Sequence, residues 1–464
     1  MKTLSSGVEP VNPMRAYEQQ LTLKALPGNE GLLDYFSEQI GSISKAGSTP
    51  IRFVVTESGD QGYKVEIGQL DSPLESASIF DFKKRSFENT SIFNAVMLVP
   101  TGIGSVQGGH AGDAAPASRL LASVCDNLIT HPNVVNASDI NEMSDNTLYV
   151  EGSVICRLLM GSIGLQKVRS NRVLTVIEKH PNDELFVNGA INSVNAARAA
   201  AGLECSDILV LDPAMKLIAE SSASGRAIGR VENLDHLFSE LKARSGDYDN
   251  VAITSIIKIP TRQLHYDYFH CGDEMVNPWG GVEAIFTHAL SSVFNVQSAH
   301  SPMIEDQLIS NMDVGIVDPR KAAEAVSFTY MQCILKGLQR APRIVSDSSA
   351  FTHDSVLSAA DISCLVIPDG CIGLPTLAAL EQGIPVIAVR SNSNIMKNDL
   401  TQLPWQKGQF HQVENYLEAA GVMSAIKSGI ALDSIRRPIF AVSHTSNSEN
   451  SYQHSRTEPK VKFS

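Results

Sequence analysis

From Asn94 onward, short runs of Val, Ile and Leu alternate with segments of helical spacing. The runs are Ala95–Val99, Val173–Ile177, Asp207–Leu211, Val251–Ile257, Ile362–Ile367 and Ile384–Val389. Apolar runs without strict alternation signify strands buried on both faces, and hence parallel sheets covered by helices. The residues before Asn94 have a different texture. Leu32–Ile43 has helical spacing, while Ile51–Val55 and Tyr63–Ile67 read as strands joined by a hairpin loop at Glu57–Gly62. The pattern predicts an α/β fold of two parallel-sheet Rossmann-like units, residues 94–250 and 251–440. An α+β appendage over 1–93 precedes them, and a polar, disordered tail over 441–464 follows. Leu148–Ile155 and Leu185–Asn192 echo each other, each reading as a strand, a Gly turn and a helix start.

Composition narrows the function classes. The chain has 464 residues, 43% hydrophobic and 19% charged, which is the profile of packed globular domains. Thirty-seven basic against fifty acidic residues leave a net charge of −13, which argues against nucleic acid as a partner. Seven scattered cysteines with no CxxC pair suit a reducing compartment and give no zinc cluster. No apolar stretch reaches the roughly 18 residues of a spanning helix, and Glu9, Pro10 and Pro13 interrupt any signal-like start. The expectation is a cytoplasmic protein that binds a small molecule away from membranes, monomeric or oligomeric.

The densest candidate for chemistry follows the strand that ends at Val99. Val99-Pro-Thr-Gly-Ile-Gly104 runs into Gln107-Gly-Gly-His-Ala-Gly-Asp113, and Pro116 suits the first turn of a helix. Gly102, Gly104, Gly108 and Gly109 would let backbone N–H groups approach a ligand at the carboxyl end of a parallel strand. The loop is neither a clean GxGxxG nor a P-loop. His110, with Asp113 as its orienting carboxylate, and His131 are the candidate general bases, with Asn136 nearby. These residues lack HxH or HxxxH spacing, so no metal site is expected.

A second cluster runs from His265 to Glu283. His270, Cys271 and Asp273 have the makings of an activated thiol, while Trp279 beside a Gly pair, with Glu283, suits stacking on a ring. His300 lies in a further loop. Arg390, Asn392 and Asn394 follow the last apolar run and offer donors to an anion or amide.

Leu357–Pro368 followed by Gly373-Leu-Pro-Thr-Leu and Gly383-Ile-Pro-Val-Ile resembles the donor half of B-type glycosyltransferases over about 35 residues. That resemblance implies a bound phosphate near Gly370–Gly373. The position that holds the donor ribose in that family is Ala378 here, a departure from its pattern. Across about residues 95–400 the chain resembles a domain family of unknown function found in cyanobacteria, other bacteria and plants. The motifs that carry this likeness are the glycine loop, Thr130-His-Pro-Asn-Val-Val-Asn136, Pro278-Trp-Gly-Gly-Val-Glu283 and Ala299-His-Ser-Pro302.

Together these features point to an enzyme acting on a small polar or anionic metabolite. Group transfer from a nucleotide-activated donor is one route. Cofactor-independent hydrolysis, elimination or isomerisation through loop His and Asp residues is another. A non-catalytic ligand-binding or regulatory protein is the third. The sequence specifies no cofactor.

Overall fold

A computed structural model describes residues 13–445 except 46, 138, 206, 271–274 and 328. The chain opens with β1 (Arg15–Leu23), helix α1 (Leu32–Ile43), β2 (Ser48–Gly59) and β3 (Gly62–Asp71). It then enters a second sheet through β4 (Asn94–Met97), helix α2 (Ala115–Ala122), β5 (Asn127–Thr130), β6 (Thr147–Tyr149) and helix α3 (Gly152–Leu159). It returns to the first sheet with β7 (Val173–Glu178), β8 (Ile208–Leu211), β9 (Lys216–Ser221), β10 (Ala227–Glu232) and β11 (Asn250–Lys258). Helix α4 (Gly280–Phe294) and β12 (Gln297–Met303) complete that passage. The chain ends on β13 (Ile362–Pro368), β14 (Ile372–Gly373), helix α5 (Leu374–Gln382), β15 (Val386–Val389) and β16 (Phe410–Val413).

The expected α/β character is present. The six strands β16-β15-β13-β4-β5-β6, in that order, form an all-parallel sheet. Its central strands are buried throughout, as continuous apolar runs require. The other large sheet is mixed. Strands β8-β7-β11-β12 run parallel, and β9-β10-β1-β3-β2-β14 continue antiparallel.

Three expectations are corrected. The N-terminal strands are no appendage, because β1 pairs with β10 from Arg15↔Glu232 to Tyr17↔Arg230. The expected division at residue 250 does not separate the sheets either: β4 lies beside β13, and β7 beside β11. The Leu148/Leu185 echo is also coincidental. Leu148 leads through a turn into α3, whereas Leu185–Asn192 lies inside the single helix Glu184–Ala201, where a run rich in Ala and other helix formers absorbs Gly189. Of the expected tail, residues 446–464 lie outside the described residues.

Strands β5 and β6 lie on one side of β4, and β13, β15 and β16 on the other, so the order in which strands are added reverses between β4 and β13 while all run parallel. Ligand sites in open α/β sheets lie at the carboxyl ends beside such a reversal. Pro100–Asp113 follows β4, His131 follows β5 and Glu151 follows β6.

Candidate functional site

A cavity of about 430 Å³ opens where these carboxyl ends meet α4 and the end of β12. Its volume is within the range of small-molecule sites. Helix α4 supplies a continuous face, since Gly280, Glu283, Ala284, Thr287 and His288 follow i, i+3, i+4 spacing. The helix approaches closely because it begins with two glycines. A Cβ at Gly281 would lie 2.3 Å from the Ala227 carbonyl oxygen, and one at Gly280 would lie 2.4 Å from Thr101 Cγ2.

A cluster of hydrogen bonds around Glu151 joins α3 to α4 in the cavity wall. Glu151 caps the N-terminus of α3, with Oε2 accepting from the backbone N–H groups of Ser153 at 2.9 Å and Val154 at 3.2 Å and from the Ser153 hydroxyl. Its Oε1 accepts from the Thr287 hydroxyl at 3.1 Å and from His288 Nδ1 at 2.5 Å. Burial alone would raise this carboxyl. The charge and hydrogen bond of His288, with the Ser153 and Thr287 hydroxyls, bring it down to about 2. A carboxylate that accepts from Nδ1 fixes the imidazole with its proton there, which leaves Nε2 as the basic nitrogen. Nε2 has no hydrogen-bond partner among the described residues, and the His288 side chain is 12% exposed.

His131 presents the opposite chemistry. The backbone N–H of Val99 donates to its Nε2 at 3.2 Å, so the neutral ring carries its proton on Nδ1. Burial pushes its pKa down to about 4. It is therefore a neutral donor near pH 7. Its place comes directly from the fold: β5 pairs in parallel with β4, so His131 sits level with the start of the glycine loop.

A second carboxylate–histidine pair lines the same cavity. His300 Nδ1 lies 3.0 Å from Glu283 Oε1, and its Nε2 lies 2.9 Å from the Ser255 hydroxyl. The order Ser–His–Glu has the outline of a hydrolytic triad. Ser255, however, is completely buried in β11 and does not line the cavity, so its hydroxyl serves to hold the ring. The exposed end of this pair is Glu283, whose side chain is 26% exposed.

Three N–H groups of the glycine loop are already taken by side chains. The N–H of Gly108 donates to Asp113 Oδ1 at 2.7 Å, that of Gln107 to Asn392 Oδ1 at 2.9 Å, and that of Ala111 to Glu324 Oε1 at 2.6 Å. Two carboxylates thus occupy the positions an incoming anion would take. Burial raises Asp113 to about 7 and Glu324 to about 7, the latter despite the Ala111 N–H and the Tyr268 hydroxyl. His110 is buried rather than loosely held, and its Nδ1 lies 2.8 Å from the Tyr268 hydroxyl. The expected pairing of His110 with Asp113 through the ring is corrected: Asp113 bonds the loop backbone, and Tyr268 orients the imidazole. Neither His110 nor Asp113 lines the cavity.

Of the other predicted residues, Gly102, Gly108, Gly109, Asn136, Trp279, Glu283 and His300 line the cavity with His131. Gly104 instead packs beside Val276. His270 is exposed and stacked on Tyr266, with ring centroids 3.9 Å apart. Arg390 is exposed and pairs with Glu414 at 2.8 Å. Asn392 is buried, tying Gln107 O to the Tyr416 hydroxyl, and Asn394 donates to Asp369 O. Gly104 and these four do not line the cavity, and Asn392 instead braces the glycine loop at Gln107. Asp273 and Cys271 lie outside the described residues. Sequence reasoning missed Glu151, Thr287, His288 and Glu324. The one available signal was a Glu before Gly-Ser at a strand end, the place for a helix cap.

A family model spans residues 94–436. The chain belongs to the DUF3326 family. That family is described as a protein of unknown function. The chain is also 31% identical, over 340 residues, to an uncharacterized lipoprotein of a Synechococcus strain. The match covers 72% of this chain and 91% of that relative. No solved structure matches. Among the described residues, no helix is long and apolar enough to cross a membrane.

Proposed function

We propose that this DUF3326 member is an enzyme that moves a proton on a small polar substrate, in a lyase, isomerase or hydrolase reaction. His288 Nε2 is the general base, held and polarised by Glu151. His131 Nδ1–H donates to an oxygen on which charge develops, as a neutral imidazole can do without itself titrating. The observation that carries this reading is the 2.5 Å contact from Glu151 to His288 Nδ1, with the other imidazole nitrogen at a cavity wall and without a hydrogen-bond partner among the described residues.

The wall also indicates the substrate's charge. Among the described residues, Glu151, Glu283, Glu305 and Glu324 line the cavity and no Lys or Arg does. That composition favours a neutral or cationic substrate over the anionic metabolite expected from sequence. It also gives little support to transfer from a nucleotide donor, whose phosphates need cations or free N–H groups. We further read the parallel sheet as Rossmann-like, from its winding in both directions from β4.

The test needs no prior substrate. A cytosolic metabolite extract incubated with the protein in D₂O should show deuterium entering at least one compound, or a new product, by mass spectrometry. His288→Gln should slow this by roughly 10²–10⁴-fold. An unchanged extract, or an equally active variant, would overturn the proposal.

A further inference from the structure

A second cavity, of about 120 Å³, adjoins the first. Thr101, His131, Gly152, Ala284 and His288 line both, so the two imidazoles stand at the junction. The remaining wall is drawn from both sheets and is largely apolar, with Phe53, Leu98, Ile367, Ile372, Leu374 and Met396 prominent. Its polar side chains are already engaged. Arg52 donates to Glu18 at 2.7 Å and to Thr101 O at 3.1 Å, Arg226 is held by Glu18 and Glu66, and Thr376 donates to Cys371 O at 2.8 Å.

Such a space repels a polar ligand and suits a hydrocarbon. An apolar protein cavity of roughly 150 Å³ stays dry and accepts benzene. By that measure this one holds a group of about four to six carbons. We propose that the smaller cavity binds a short alkyl or small aryl group of the substrate. The substrate is then bipartite, with its polar part in the larger cavity, its hydrocarbon part in the smaller one, and the reacting atom between them at His288. The placement of the reacting atom rests on His288 being the base; occupancy of the smaller cavity does not.

Straight-chain primary alcohols from methanol to octanol test the site, with binding followed through the methyl resonances of Met396 and Ile372. Affinity should rise roughly fourfold per methylene and stop rising once about six carbons fill the space. Cys156→Leu, which adds bulk to the cavity wall, should move that limit about two carbons shorter and leave methanol unaffected. Should this variant misfold, the chain-length series on the natural protein decides alone. Affinity independent of chain length, or unmoved Met396 and Ile372 resonances, would overturn the proposal. Chain-length dependence without deuterium exchange would sink the proton-transfer reading and leave this site standing. Exchange without chain-length dependence would do the reverse.

Discussion

Two carboxylate–histidine pairs face the same cavity with opposite ends forward. In Glu151–His288 the carboxylate is buried, 2% exposed, and takes bonds from two backbone amides, two hydroxyls and an imidazole, while the far nitrogen of the imidazole has no partner among the described residues. In Glu283–His300 the imidazole is the enclosed member. Ser255 occupies its second nitrogen, and the carboxylate reaches the cavity. The same two residue types thus present a base in one place and an anionic contact in the other. What decides is which partner's remaining valence is already taken, and counting hydrogen bonds reveals it where residue identity does not.

The sharpest way to break this contrast is to remove each carboxylate. Glu151→Ala strands a half-buried imidazole, uncaps α3 and removes one of the two acceptors of the Thr287 hydroxyl. It should cost about 3–5 kcal/mol, read from urea denaturation. Glu283→Ala leaves one buried nitrogen without its partner and should cost about 1–2 kcal/mol. Equal losses would mean that the two pairs do not differ as described.

Glu324 sharpens the comparison as a carboxyl on the same cavity with no histidine partner among its hydrogen bonds. Burial raises it to about 7, whereas the partnered Glu151 is drawn down to about 2. The folded chain holds the Glu324 proton up to about pH 7, while the unfolded chain releases it near 4.5. Its contribution is therefore fully present below about pH 4.5 and is lost as pH rises through 7. Glu324→Gln should match the natural protein at pH 4.5 and exceed it by about 3 kcal/mol at pH 8. A variant equally stable at both pH values would show that Glu324 ionises normally.

The smallest effect expected is that of Ser255→Ala. Losing one buried hydroxyl contact should cost about 1 kcal/mol and leave the deuterium exchange nearly unchanged. Loss of exchange in this variant would revive the triad reading and place the nucleophile at Ser255.

Much of the fold was legible because unbroken apolar runs can be satisfied only by strands covered on both faces. All six such runs became strands. β1 escaped notice because in Arg15-Ala-Tyr-Glu-Gln-Gln the only fully buried apolar residue is Ala16, its stability coming from ladders to β3 and β10. The site was legible where short motifs punctuate the apolar pattern: His131 follows β5, Glu283 lies in the first turn of α4, and His300 lies within β12 rather than in the loop expected for it. Glu151 and His288 lie 137 positions apart, one at a helix cap and one in mid-helix, and only the packing of α3 against α4 joins them. His110 misled for the complementary reason: glycines on both sides suggest an open loop, yet Tyr268, 158 positions away, encloses it.

The central claim is that His288 offers an unprotonated Nε2 to the cavity. Long-range ¹H–¹⁵N NMR on protein labelled at histidine, assigned by loss of a signal in His288→Gln, reads the tautomer directly at a pH where the imidazoles are neutral. The account predicts a proton on Nδ1 and a bare Nε2 for both His288 and His131. A proton on Nε2 of His288 would contradict it, because the hydrogen bond to Glu151 would then be absent and no base would face the cavity.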